Sequence, residues 1–180
     1  MSSSAMTDDR FWRLIDEARA RGSVAEHLPR LLLELNADEV VAFASMLSGK
    51  IANAGSFPLL AANFVIASYV SDEGFRSFRA WLVSQGRARY ENAIRDPQTI
   101  ADWLDIDEVD DTAEDPVGEA VCIAYMRHGD PDELHARTAH AADPDRPLDW
   151  PENKLEYRRR FPQLVDKFWN QQRINELHSD

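Results

Sequence analysis

The sequence predicts an all-α protein: a single-domain helical bundle of about eight helices with irregular acidic and proline-rich loops. Three observations carry that prediction. Apolar residues recur at three- and four-residue spacing along successive segments, the period of one helical face. Serine, aspartate and asparagine stand ahead of those segments where an N-cap is needed, several with proline next in the chain. No segment alternates apolar and polar residues for long enough to require a sheet.

Thr7 or Asp8 caps a first helix with the stripe Phe11, Leu14, Ile15 and Ala18. Ser23-Val24-Ala25-Glu26 has the form of a capping box before Leu28 to Leu35, with Pro29 either kinking that helix or sitting in its first turn. Asn36-Ala37-Asp38-Glu39 repeats the signature ahead of Val40, Phe43, Ala44, Leu47 and Ile51. Gly55 and Pro58 punctuate the passage to Phe57–Val70, which is apolar on nearly all sides and belongs at the centre of the core. Ser71 or Asp72 caps the next helix, whose stripe is Phe75, Phe78, Trp81 and Leu82, and Gly86 stops it. A shorter run, Arg87 to Arg95, follows. Asp96-Pro97, Asp115-Pro116 and Asp130-Pro131 open three further helices near 97–104, 116–128 and 131–140. An acidic loop, Asp105 to Asp115, separates the first two, and Pro144, Pro147 and Pro151 mark a second irregular stretch. Residues 153–177 are helical again, interrupted at Phe161-Pro162.

The 180 residues suffice for one core, with residues 1–7 expected as a disordered tail and residues 8–180 as the domain. No apolar run reaches the roughly 18 residues of a membrane span, and the start lacks the form of a secretory signal. The single cysteine, Cys122, excludes an internal disulfide and fits a reducing cytoplasm. The net charge of -12 is unevenly spread: residues 101–149 carry 15 acidic and 3 basic side chains. That acidic middle repels phosphate backbones, so no nucleic-acid partner is expected, nor a membrane. Arginine far outnumbers lysine and alanine is plentiful, a balance that suggests a bacterial genome rich in G and C.

The stretch SDEGFRSFRAWLVSQGRARYENAIRDP, from Ser71 to Pro97, mixes four aromatic rings with five arginines in one turn–helix–turn unit. Together with Phe11-Trp12 and Leu14-Ile15, the stretch around Glu114 to Tyr125, and Arg160-Phe161-Pro162 with Leu164 and Phe168-Trp169, it resembles the bacterial domain of unknown function 4240 family. That family's central pattern is a glycine pair, then SDD, then a helix reading F-x-x-F-R-x-W-L-I with a glycine soon after. Ser71, Asp72, Phe75, Phe78, Arg79, Trp81, Leu82 and Gly86 match it. Ser68 and Tyr69 stand in place of the glycine pair, and Glu73 replaces the second aspartate. The resemblance spans most of residues 8–172. It implies a shared fold and no assigned reaction.

The candidate binding residues are Asp72, Glu73, Arg76, Arg79 and Gln85. Arg79 borders the apolar stripe, so its guanidinium needs an acidic or carbonyl partner. In one reading these side chains and the helix start form an anion pocket. In the other, Asp72 caps the helix while Arg79 binds a carboxylate elsewhere in the fold. Other chemistry lacks support. His135 and His140 are five apart, off one helical face, and no H-E-x-x-H occurs, so no metal is expected. The acidic loop has Asp110 where a calcium loop needs glycine and Pro116 where it needs glutamate, which leaves a solvated acidic linker. Cys122 lies in the apolar run Ala120 to Tyr125 with no adjacent base, as a small core residue does. Trp12 and Trp81 read as packing, whereas Trp103 and Trp150 are candidates for a partner surface. No cofactor is implied and no catalytic constellation is complete. The chain is therefore expected to be a cytoplasmic, non-catalytic protein-interaction module. The alternative is a small-ligand or anion-binding protein, or an enzyme, with a polar pocket near Asp72, Glu73 and Arg79.

Overall fold

In the computed structural model, which describes residues 5–177, the stripes and caps become eleven α-helices and three short 3-10 helices, with no strand among those residues. The helices are α1 (Asp8–Ala20), α2 (Val24–Leu32), α3 (Ala37–Asn53), α4 (Phe57–Ala67), α5 (Asp72–Ser84), α6 (Arg87–Arg95), α7 (Pro116–Tyr125), α8 (Pro131–Arg137), α9 (Lys154–Arg160), α10 (Pro162–Phe168) and α11 (Gln171–Leu177). The number exceeds eight largely because the C-terminal stretch divides into three. Pro162 has no N–H to continue α9, and Trp169 leaves the helical conformation after α10.

The core follows the stripes. Phe11, Trp12, Ile15 and Ala18 of α1 are buried; between ring centroids Phe11 lies 4.6 Å from Phe43 of α3 and Trp12 lies 5.0 Å from Tyr90 of α6. All five predicted stripe residues of α3 are buried, as are Phe75, Phe78, Trp81 and Leu82 of α5. Seven of the eleven residues of α4 are buried, consistent with its uniformly apolar surface. No single helix among the described residues is long and apolar enough to cross a membrane. Residues 1–4 of the expected tail lie outside the described residues. Thr7 is the N-cap of α1, accepting from the Arg10 N–H at 3.2 Å, and Met6 packs against the core.

Three local expectations differ. Ser23 is the N-cap of α2, but its hydroxyl makes no capping bond, so the capping box there does not form. At α3 it does form: Asn36 accepts from the Glu39 N–H while Glu39 accepts from the Asn36 N–H. The segment expected as a helix near 97–104 is a 3-10 helix, Pro97–Asp102. It ends where Trp103 turns out of the helical conformation, and the half-buried Trp103 ring stacks on the buried Trp81 ring at 5.6 Å. The acidic loop is no linker. It forms 3-10 helices at Ile106–Glu108 and Asp110–Ala113, buries Thr112, and packs the second of these on α5.

The end of α4 adopts a backbone conformation that favours glycine. Ser68 is buried at φ 67°, in the left-handed region that glycine enters without a Cβ penalty. Ser68→Gly should therefore raise stability by about 0.5–1 kcal/mol, read as a higher urea midpoint at unchanged slope. A lower midpoint would show that the buried hydroxyl contributes more than the backbone strain costs.

Candidate functional site

Helix α5 distributes the five candidate residues along its length rather than gathering them. Ser71, and not Asp72, supplies the cap, accepting from the Gly74 N–H at 3.0 Å. Asp72 and Glu73 are exposed in the first turn, where their charge complements the helix dipole. Gln85 follows Asp72 by thirteen residues, about 20 Å along the axis. The structure separates these two ends into different environments.

Arg79 is buried, 2% exposed, and fully engaged. Its guanidinium donates to both carboxylate oxygens of Asp143, at 2.6 and 2.9 Å, and to the carbonyl of Ile51 at 3.1 Å. Its Nε donates to the Phe75 carbonyl at 3.3 Å, and Cζ lies 4.7 Å from the centroid of the Phe75 ring. Hydrogen bonding from Arg79, together with its charge and those of Arg146 and Arg76, holds the Asp143 carboxyl below the usual aspartate range. Arg76 stays exposed nearby, lining a small hollow of about 160 Å³ with Ser48, Ile51, Asp115 and His140. Among the described residues the one carboxylate touching Arg79 is that of Asp143, supplied by the proline-rich stretch.

Gln85 belongs to a second and larger concavity of about 350 Å³. Arg19 comes from the end of α1, Gly22 to Ala25 from the α1–α2 turn, and Trp81, Ser84 and Gln85 from the end of α5. Arg89 of α6, Trp103, and the acidic residues Glu108, Asp111 and Glu114 complete the lining. A relay of hydrogen bonds orders one wall. The Ser84 hydroxyl donates to the Trp81 carbonyl at 2.6 Å and accepts from Gln85 Nε2 at 3.1 Å, while Gln85 Oε1 accepts from Arg89 at 3.3 Å. The Arg89 guanidinium also lies 4.6 Å from the Trp103 ring centroid, and Trp103 stacks on Trp81 at 5.6 Å.

Gly86 brings Arg19 into this wall. At φ 84° and ψ 167° it occupies a region open only to glycine, and a Cβ there would collide with Asp16 Oδ1 and lie 3.0 Å from Arg19 Nη1. The close approach lets Asp16 accept from the Arg87 N–H at 3.2 Å, fixing the end of α1 against the α5–α6 turn.

The electrostatics of the cleft are unusual for this chain. Among the described residues, Arg19 and Arg89 are the half-buried arginines with no carboxylate within 4 Å. Burial lowers the pKa of Arg19, the positive charge of Arg89 lowers it further, and Asp16 opposes both. Glu108, Asp111 and Glu114 line the same cleft yet do not reach the two guanidinium groups. One wall is positive and another negative, with space between them.

Other predicted positions are less informative. Cys122 is exposed on the outer face of α7, contrary to its expected place in the core, because the stripe of α7 runs through Val117, Ala120, Val121 and Ala124. Partial burial, then the charges of Asp115 and Glu119, push its thiol pKa up, so it is not activated. His135 and His140 meet after all, at 4.2 Å between rings, because the chain leaves the helical conformation at Thr138 and His140 Nε2 lies 2.9 Å from the His135 carbonyl. No group of three or more His, Cys, Asp or Glu side chains among the described residues is arranged to hold a metal. Trp150 packs its edge on Phe57 and Phe64 and remains 37% exposed. Sequence reasoning passed over Arg19, whose only signal was an arginine close to a helix C-terminus.

The fold and cleft define an all-α domain with a charge-divided surface concavity. The chain belongs to the family described as protein of unknown function (DUF4240), whose sequence model matches residues 6–127. That span holds every residue of the cleft and ends before Asp143. No curated protein and no solved structure matches the chain.

Proposed function

We propose that this domain binds a small zwitterion, an amino acid or the end of a short peptide, in the cleft between Arg19, Arg89 and the acidic wall. A single observation carries the reading: two half-buried guanidinium groups line one cleft with no carboxylate within 4 Å of either, and the cleft's acidic side chains stand apart. Bringing like charges together costs stability unless an anion completes the arrangement. The ligand's carboxylate would lie between Arg19 and Arg89, with charge-assisted hydrogen bonds from both. Its ammonium group would face Glu108, Asp111 and Glu114. The free N–H groups at the start of α2, which Ser23 leaves uncapped, add donors on the anionic side. The volume of about 350 Å³ suits a molecule of that size. The sequence reading placed an anion site toward Asp72 and Arg79. This reading moves it to the opposite end of α5, because Asp143 already fills Arg79.

Thermal melts with a panel of amino acids, dipeptides, dicarboxylates and amines test the proposal. A ligand present at a hundredfold excess over its Kd should stabilise the domain by about 2.7 kcal/mol, a shift of roughly 5–10 °C. Arg19→Ala and Arg89→Ala should each abolish that shift. Their ligand-free stability should change by less than about 1 kcal/mol, since each also relieves repulsion. Dicarboxylates acting as well as zwitterions would remove the acidic wall from the account. A shift that persists in both variants would overturn it.

A further inference from the structure

Residues 139–150 lie across α3, α4 and α5 as an extended segment, and the way they are held is that of a bound peptide. No backbone–backbone hydrogen bond ties this segment to the rest of the described residues. Instead the N–H groups of Ala139 and Ala141, two residues apart as in extended chain, donate to the hydroxyls of Ser45 and Ser48, each at 2.9 Å. Those serines are three apart and share one face of α3. Further along, Asp143 makes its two-pronged contact with Arg79, whose guanidinium is already fixed by the Ile51 and Phe75 carbonyls. Pro144 rests on Gly55, where a Cβ would stand 2.8 Å from the proline ring. Arg146 donates to the Gly55 carbonyl at 3.3 Å, and Trp150 reaches Phe57 and Phe64.

The receiving surface is preorganised and the resident segment fits it incompletely. Arg79 is buried, whereas the side chain of Asp143 is 47% exposed. Nε of Arg146 is buried without an acceptor, so this occupant brings a donor that the groove does not satisfy. All but one residue of 139–150 are exposed, so the segment lies on the fold rather than within it. The groove residues also fall within the span matched to the family, and the occupant falls outside it.

We infer that the groove formed by Ser45, Ser48, Gly55, Phe75 and Arg79 is a docking surface for an extended acidic peptide, held closed in cis by residues 139–150. The partner is a protein segment that presents an aspartate beside proline to Arg79 and offers alternate backbone N–H groups to the two serines. Charge complementarity selects it, because a carboxylate makes the two-pronged, charge-assisted bond to the buried guanidinium that a neutral side chain makes only weakly.

The test uses the full chain carrying Asp143→Asn and a fluorescent synthetic peptide with the sequence of residues 139–151, followed by anisotropy. The peptide should bind this variant at least about tenfold more tightly than it binds the unsubstituted protein, in which the site is filled. A peptide with asparagine in place of its aspartate should lose about tenfold. Equal binding of the two peptides, or none by a folded variant, would overturn the inference. So would dimerisation of the variant without peptide binding, which would assign the groove to arm exchange between copies. If Asp143→Asn fails to fold, Trp150→Ala loosens the far end of the segment and leaves the Asp143–Arg79 pair in place. Adding the aspartate peptide should then accelerate amide exchange at Ala139 and Ala141, and unchanged exchange would count against displacement.

Discussion

Asp143→Ala is expected to lower the melting temperature by roughly 4–12 °C while leaving the protein folded at 25 °C. The variant leaves the Arg79 guanidinium buried without its carboxylate. Breaking a fully buried pair costs about 3–5 kcal/mol; here roughly 2–3 kcal/mol is expected, because water reaches the place of the half-exposed aspartate. A second substitution distinguishes lost attraction from an abandoned charge. Arg79→Met on the Asp143→Ala background should recover most of the loss, since a well-packed apolar side chain imposes no desolvation penalty. Failure to recover would mean that Arg79 acts mainly through its bonds to the Ile51 and Phe75 carbonyls. The pH dependence has a definite sign. A carboxyl held below its unfolded pKa contributes stability that is present above about pH 4 and lost as pH falls through the depressed folded value. The difference between the natural protein and Asp143→Ala should therefore be constant near neutrality and shrink in acid.

Gly86→Ala should destabilise by roughly 2–4 kcal/mol and also remove the ligand response of the cleft. Two costs add. The backbone at φ 84° and ψ 167° excludes other residues, and the new methyl group overlaps Asp16 Oδ1 and crowds Arg19. Pushing α1 away from the α5–α6 turn moves Arg19 away from Arg89, so binding is lost with the packing. Chemical denaturation of Gly86→Ala, Asp16→Ala and the double variant separates the parts. Asp16→Ala should recover the steric share of the loss and leave the backbone share. A fully tolerated Gly86→Ala would mean that the turn relaxes freely, and the positioning of Arg19 would need another cause.

Much of the fold was readable because it is written in local periodicity. Every residue of the predicted stripes of α3 and α5 is buried, since a helix turns its apolar face to the core, while Ala52, Ala80, Val83 and Ser84 are buried beyond those stripes. Misreadings arose where tertiary contact competed with local preference. Trp103 leaves its helix to stack on Trp81, and the acidic stretch folds onto α5 because Val109 and Thr112 are buried there. Cys122 looked like core because its whole helix is apolar, and only the packing of α7 on α2, α3 and α5 decides which side is covered.

The site was less legible, for a physical reason. That Arg79 would need a carboxylate follows from one guanidinium at the border of an apolar stripe. That the carboxylate is Asp143 does not, because the partner lies 64 residues away in a segment without regular structure. Likewise, the chain shows arginines near the ends of α1 and α6, but nothing local brings Arg19 to Arg89. Gly86 does so, by allowing one helix end to approach a turn that any side chain would hold off. Helices and their buried faces depend on neighbours three and four residues apart, so they are settled along the chain. Charge pairing and cavity shape depend on side chains that meet only after collapse, and those the folded arrangement alone decides.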